Sequence, residues 1–332
     1  MSDTFVVPRD RAGMELDEFL CLQYPDCNKG YIRRQVREGG VLVDGVLARP
    51  SQRLHTDQVL YVDFEIEEAP APPVAPAAEI PVLYETEDWL VVDKPPGLAV
   101  EPERWARDKA TLSGALLQMS QERSTESQGL SLRLRLVHRL DKDTSGAVLV
   151  AKNLQTERFL RTAFDEGRVR KRYLALVEGE HPLADGEEEV IDLPLGPDER
   201  KSGRMIVPGR GGKPSRTRVQ VERRFRGYTL LACEPLTGRT HQIRVHLAET
   251  GFPLAVDPTY GRRDAFLLSA IKPGYKQKPG RPERPLIDRL TLHASRIGVP
   301  GPDGEITWVE SPLPRDFERA LKQLDKVRRW MR

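Results

Sequence analysis

The chain has 332 residues, with 52 Lys and Arg against 50 Asp and Glu and a formal net charge of +2. So even a balance excludes an argument for nucleic-acid binding from bulk charge, and any such argument must rest on local clusters. Hydrophobic residues make up 39% of the chain, enough for one large packed domain and a smaller companion.

Cys21, Cys27 and Cys233 are odd in number and form no Cys-x-x-Cys pair, which points away from a disulfide framework or zinc ribbon and towards a reducing compartment. The opening MSDTFVVPRDRAG has no basic start followed by an apolar run, and no later run reaches membrane-spanning length. A cytoplasmic protein without membrane association is expected.

In chain order, MELDEFLCLQY places Leu16, Phe19, Leu20 and Leu22 at helical spacing. NKGYIRRQVREGG predicts a second helix with Asn28 as its N-cap and Gly39 and Gly40 as its stop. Ile32 and Val36 mark its apolar side, and Lys29, Arg33, Arg34 and Arg37 crowd the rest. Such a face is either solvated or a ligand for phosphates. VLVDGVLA reads as a hairpin turning at Asp44 and Gly45, and DQVLYVDF as a further strand. Residues 65–80 are rich in Pro and Ala and predict an extended, semi-rigid linker.

Beyond Ile80, strand-like and helix-like segments alternate without a regular βαβ repeat. WLVVDK, RLRLVHRL and GAVLVAK read as strands, the second half-buried with Leu132, Leu134 and Leu136 on one face. NLQTERFLRTAFDEG reads as a helix with Leu154, Phe159, Leu160 and Phe164 inward. KRYLALVEGE, TRVQVERRF, YTLLACEPL and HQIRVHLAETG follow. The pattern predicts an α+β domain on a mixed, largely antiparallel sheet. No Gly-x-Gly-x-x-Gly follows a strand and no Walker loop is present, so no nucleotide cofactor is indicated.

VHRLDKDTSG, residues 137–146, concentrates polar chemistry between apolar runs. As a calcium loop it fails, because the twelfth position, which must supply a carboxylate, is Lys152. It remains either a structural turn closed by Asp, Thr, Ser and Gly or a scaffold-held loop that presents Asp141 for chemistry. His241 and His246 lack the spacing and clustered carboxylates of a metal site, and no metal is expected.

HRLDKDTSG is similar to the catalytic signature of the RluA-type pseudouridine synthases. LYETEDWLVVDKPPGL, VRKRYLALVEG, PLTGRTHQIRVHLAETGFPLAVDPTYG, LTLHASRI and SPLPRDF resemble further blocks of that family, in the same order. The resemblance implies isomerisation of uridine to pseudouridine within RNA, without metal, nucleotide or redox cofactor. It implies Asp141 as the essential aspartate, Tyr173 as the active-site tyrosine and Arg244 as the aspartate's partner. Arg139 and His138, flanking Asp141, together with Arg239 and His241, are expected to contact RNA or the flipped base, and Leu292 to form an apolar wall beneath it. Asp141 would either attack C1′ or take a proton from C2′.

Residues 13–64 resemble an S4-like α/β RNA-binding domain, with Lys29, Arg33, Arg34 and Arg37 as RNA ligands. The expected organisation is that domain, the linker 65–80, a catalytic domain over 81–318 and a basic C-terminal helix over 319–332. Ribosomal RNA is the implied partner and transfer RNA the alternative, with no obligate protein partner. A non-catalytic RNA-binding or assembly protein is the rival class, and a metal-dependent hydrolase using His138, Asp141 and His241 a remote one. Asp198–Val219 and Gly261–Pro285 are basic, Gly- and Pro-rich loops suited to phosphate contacts.

Overall fold

The computed structural model describes residues 2–7, 12–24, 27, 29–63, 80–101, 110–126, 134–277, 280–301 and 303–330. The predicted cap Asn28, nearly all of the predicted linker, Leu132 and Lys278 lie outside the described residues. The chain divides into two compact units, Met1–Val74 and Ala75–Arg332.

The first unit contains β1 (Ser2–Val6), α1 (Leu16–Gln23), α2 (Lys29–Arg37), β2 (Val41–Val43), β3 (Val46–Leu47) and β4 (Val59–Asp63). Its sheet has the order β1-β4-β2-β3. Asp44 and Gly45 both take positive φ, 51° and 79°, which is the conformation a two-residue hairpin needs and Asp-Gly tolerates. Leu16, Phe19, Leu20, Ile32 and Val36 pack with Val41, Leu60 and Val62 into one core.

The second unit contains β5 (Val82–Glu85), β6 (Trp89–Lys94), α3 (Leu112–Glu126), β7 (Arg135–Leu136), β8 (Ser145–Ala151), α4 (Leu154–Asp165), β9 (Arg170–Glu178), β10 (Glu188–Asp192), β11 (Gly196–Pro197) and β12 (Met205–Ile206). It continues with β13 (Arg216–Phe225), β14 (Tyr228–Pro235), α5 (Gln242–Glu249), α6 (Leu268–Ile271), β15 (Leu292–Pro300), β16 (Ile306–Glu310) and α7 (Arg315–Val327). The main sheet runs β10-β13-β14-β9-β15-β8-β6-β5, with β7 on β8 and β16 on β15. Its pairings are antiparallel except β15 with β8, as the alternation of short strands predicts.

Alternation along two strands shows how both sheet faces are covered. Val148 and Val150 of β8 face the cluster that includes Leu112 and Leu116 of α3. Ala147, Leu149 and Ala151 face Leu160 and Ala163 of α4. On β9, Tyr173, Ala175 and Val177 share a cluster with Ile243 and Leu247 of α5, while Leu176 packs with Phe317, Ala320, Leu321 and Leu324 of α7. A strand buried on both faces reads as a continuous apolar run, as GAVLVA does. Asn153 caps α4 by accepting the Thr156 N–H at 2.8 Å.

One expectation changes, and one segment that reads equally as strand or helix is resolved. QIRVHLAE is a helix; its residues Gln242–Leu247 are all buried, so it carries no polar face for a period to reveal. The C-terminal helix starts at Arg315 and not at 319, and it is an integral layer of the core through Phe317, Ala320, Leu321 and Leu324. Among the described residues, no helix is long and apolar enough to cross a membrane.

Candidate active site

The VHRLDKDTSG loop connects β7 to β8, and its backbone explains its composition. The Thr144 N–H closes a turn onto the Asp141 carbonyl at 3.1 Å. Gly146 has φ +118°, and a Cβ there would lie 2.8 Å from the Ala294 backbone nitrogen and collide with its carbonyl oxygen. Glycine is therefore what permits β8 to pair in parallel with β15 at Ser145–His293 and Gly146–Ala294.

Lys94 anchors the other side of the loop. It is fully buried at the end of β6, and its Nζ donates to the carbonyls of Pro95 (2.9 Å), Leu98 (2.8 Å) and Lys142 (2.8 Å). The Lys142 carbonyl also accepts the Gly97 N–H at 3.0 Å. The KPPGL turn and the loop bearing Asp141 are thus tied through one ammonium group. Burial pushes its pKa down to about 7, against the opposing pull of Asp143 and Asp141.

Arg244 and Asp141 meet across 103 positions of sequence, with Arg244 Nη1 donating to Asp141 Oδ2 at 2.9 Å. The guanidinium is in turn held by Asp257, which accepts from Nε at 2.8 Å and Nη2 at 2.9 Å. Asp257 is buried and its Oδ1 also accepts the N–H groups of Thr259 and Tyr260. Burial by itself would lower the Arg244 pKa, but Asp257 and then Asp141 outweigh it and raise it. The guanidinium stays charged, and it sits 5.0 Å from the centre of the Tyr260 ring.

One Asp141 oxygen is therefore committed to Arg244. The other, Oδ1, stands 3.9 Å from His241 Nε2, too far for a hydrogen bond. Asp141, His241 and Arg244 line a cleft of about 400 Å³, together with Leu140, Pro258 and Leu290. Tyr173 packs in the apolar cluster with Leu140, Ile243, Leu290 and Leu292. Burial, reinforced by the negative charge of Asp141, raises its pKa, so the phenol keeps its proton.

The remaining expected residues separate into several environments. Arg139 lines the cleft with an exposed side chain, 3.8 Å from Glu101. Arg239 lines a neighbouring basin of about 630 Å³ with Arg210 and Lys213. Leu292 is buried in the cluster around Tyr173, and the leucines that line the cleft are Leu140 and Leu290. His138 Nε2 accepts the Leu149 N–H at 2.9 Å and its ring lies against Phe164, so it braces the loop on β8. Burial lowers its pKa to about 3, keeping the ring neutral as that acceptor role requires.

In the first unit the four basic side chains of α2 divide. Arg33 donates to buried Asp17 at 2.5 Å, and Lys29 lies 3.4 Å from Asp17 and 3.3 Å from Glu18. These two are paired with acids of the same unit while their side chains stay 42% and 41% exposed. Arg34 and Arg37 are exposed, with Arg34 over the Tyr31 ring at 5.3 Å. Among the described residues, no cluster of three or more His, Cys, Asp or Glu side chains could hold a metal ion.

Lys94, Asp257 and Tyr260 escaped sequence reasoning. Asp257 had one usable signal: DPT is an Asx-type turn following a buried apolar run. Lys94 had none, because its partners are all backbone carbonyls.

A carboxylate with one oxygen clamped and the other open to a cleft has the geometry to meet a single ligand atom. Residues 88–249 match the sequence profile of the family described as RNA pseudouridylate synthase. The chain is 33% identical over 315 residues to the uncharacterized RNA pseudouridine synthase YlyB of Bacillus subtilis (strain 168), an alignment covering 94% of each protein. It is 35% identical over 332 residues to ribosomal large subunit pseudouridine synthase C of Escherichia coli (strain K12), covering 97% of this chain and 96% of that protein. The solved structure of human RNA pseudouridylate synthase domain containing 1 is similar with a TM-score of 0.51 and 28% identity, covering 71% of this chain and 84% of that one. The chain belongs to the RNA pseudouridylate synthase family. It is an isomerase that rebuilds uridine as pseudouridine.

Proposed function

We propose that the chain modifies uridine in structured large-subunit ribosomal RNA, using Asp141 as the reacting carboxylate. The observation that carries the mechanism is the Asp141–Arg244–Asp257 chain at the cleft. The near-complete match to ribosomal large subunit pseudouridine synthases supports the substrate. Pseudouridine synthesis breaks the C1′–N1 bond, turns the uracil and rejoins it through C5. Asp141 Oδ1 either attacks C1′ or removes the C2′ proton, while Arg244 holds Oδ2 in place.

Tyr173 enters as a protonated phenol whose ring supports the uracil, beside the apolar surface of Leu290. A phenol that keeps its proton is a poor base for C5, so support is the role its burial favours. Arg139, exposed at the rim, assists extrusion of the target, which costs a few kcal/mol for a stacked base. Arg239 and the basic loops at 198–219 and 261–285 contact phosphates. Not all of their cations are available, since Arg204 lies 3.7 Å from Asp198 and Arg263 3.2 Å from Glu178.

Residues 13–64 act as an S4-like RNA-binding domain, with Lys29, Arg33, Arg34 and Arg37 as its phosphate ligands. Residues 65–80 serve as a linker, and the catalytic domain runs from 81 through α7. The protein works in the cytoplasm, without a cofactor or an obligate protein partner.

The test is pseudouridine mapping of RNA treated with the purified chain, using unmodified 23S ribosomal RNA and bulk transfer RNA in parallel. New pseudouridine at a defined 23S position supports the proposal. Product in transfer RNA alone would transfer the substrate to that class.

A further inference from the structure

His241 is built to a specification that holding an RNA backbone does not require. It sits at φ +55°, in the left-handed region that a non-glycine residue enters at a cost, immediately before α5. Its Nδ1 lies 2.8 Å from the Tyr260 hydroxyl, and that hydroxyl accepts the Met205 N–H at 2.8 Å. Among the described residues, the hydroxyl has no other hydrogen-bond partner. With the Tyr260 proton directed to Nδ1, the ring proton resides on Nε2. Nε2 is the nitrogen that faces Asp141 Oδ1 across 3.9 Å of the cleft. Burial lowers the His241 pKa, ahead of the opposing effect of Asp141, so the ring is a neutral donor.

We infer that His241 Nε2–H donates to the 2′-hydroxyl of the target nucleotide and thereby selects ribose at the reacting position. The inference rests on Asp141 being the reacting carboxylate. Whichever step Asp141 performs, its open oxygen must reach the C1′–C2′ edge of the sugar. A donor 3.9 Å from that oxygen can meet two substrate atoms, the 2′-hydroxyl and uracil O2. The uracil turns between cleavage and rejoining, whereas the sugar stays in place. A donor locked by a strained backbone and a two-bond chain suits the group that does not move. The same donor gives the enzyme a direct reading of RNA against DNA, which differ at the sugar by the 2′-hydroxyl.

The experiment uses the whole chain and a synthetic RNA hairpin carrying a uridine already located by mapping. A second hairpin has 2′-deoxyuridine at that position alone. For each protein the ratio of kcat/KM on the two hairpins is measured, so that a partly unfolded preparation cancels. Wild type should prefer the ribose hairpin by about 10-fold or more, the scale of one unpaired buried hydrogen-bonding group. His241→Ala should act on the ribose hairpin less well and show a ratio near 1. His241→Gln, which keeps an N–H donor, should retain part of the preference. Tyr260→Phe, which frees the imidazole to exchange its proton, should reduce it. An undiminished preference in His241→Ala overturns the inference. If that variant does not fold, an undiminished preference in Tyr260→Phe and a lost one in His241→Gln overturn it equally. Wild type failing on both hairpins would instead count against the assignment of the reaction.

Discussion

Replacing Asp257 by asparagine changes one oxygen to an NH2 group and removes one buried negative charge. Asp257 Oδ2 accepts from Arg244 Nε, and Oδ1 from Arg244 Nη2 and two backbone N–H groups. Oδ1 is the more heavily used oxygen, so the amide nitrogen falls opposite Nε–H, donor against donor. Breaking one side of a buried ion pair costs about 3–5 kcal/mol. Arg244 keeps Asp141 as a partner, so the lower end, about 3 kcal/mol, is expected. The guanidinium then shifts away from the new amide and carries the Asp141 carboxylate with it. A displacement near 1 Å at a reacting group costs roughly 100-fold in rate. Guanidinium chloride unfolding followed by circular dichroism reads the first quantity, and single-turnover pseudouridine formation the second. An Asp257→Asn variant within about 1 kcal/mol of wild type and with unaltered turnover would refute the claim that Asp257 positions the site.

The mounting of the Asp141 loop can be perturbed at three further points. Gly146→Ala drives a Cβ into the Ala294 carbonyl at φ +118° and should cost more than about 3 kcal/mol, seen as insoluble protein or a large fall in Tm; a Tm within a few degrees of wild type would contradict the close approach. Lys94→Met removes the donor shared by three carbonyls, leaving the Gly97 N–H on the Lys142 carbonyl, and should lower kcat more than it raises KM, because the Asp141 loop is tied less firmly to the KPPGL turn. Equal kcat in the two proteins would make Lys94 a spectator. His138 has a folded pKa of about 3, lowered from 6.5 by burial. The folded protein thus binds fewer protons than the unfolded chain between those values, and the contribution to stability is complete above pH 6.5 and is lost as pH falls towards 3. His138→Phe should flatten that part of the stability–pH curve, and it orphans the Leu149 N–H at a cost of about 2 kcal/mol. An unchanged slope would show that His138 is not the group that titrates.

The parts of the fold visible in the sequence are those with a period or an unbroken apolar run. GAVLVA and KRYLALVE are strands because they are apolar on both faces, and NLQTERFLRTAFD is a helix because its apolar residues recur at helical spacing. The α5 segment concealed itself because Gln242, Arg244 and His246 are buried along with its apolar residues. His246 is consumed by Thr217 and the Leu193 carbonyl, so its place near Arg244 reflects packing. The Asp141–Arg244 contact came from family resemblance, since no local pattern links residues 103 apart. Lys94 works through backbone carbonyls, which leave no trace in residue types, and Tyr260 through a backbone N–H and the His241 ring 19 positions away. His138 stands in a polar motif, while its ring accepts a strand N–H, a bond that the motif does not announce.

The central claim is that Asp141 carries the chemistry, and Asp141→Asn tests it most directly. The side chain is 26% exposed, so the variant should fold like wild type and still bind RNA. Pseudouridine is then measured by mapping in 23S ribosomal RNA incubated with each protein at equal concentration. Defined product is expected with wild type and none with Asp141→Asn. Equal product from both would contradict the claim.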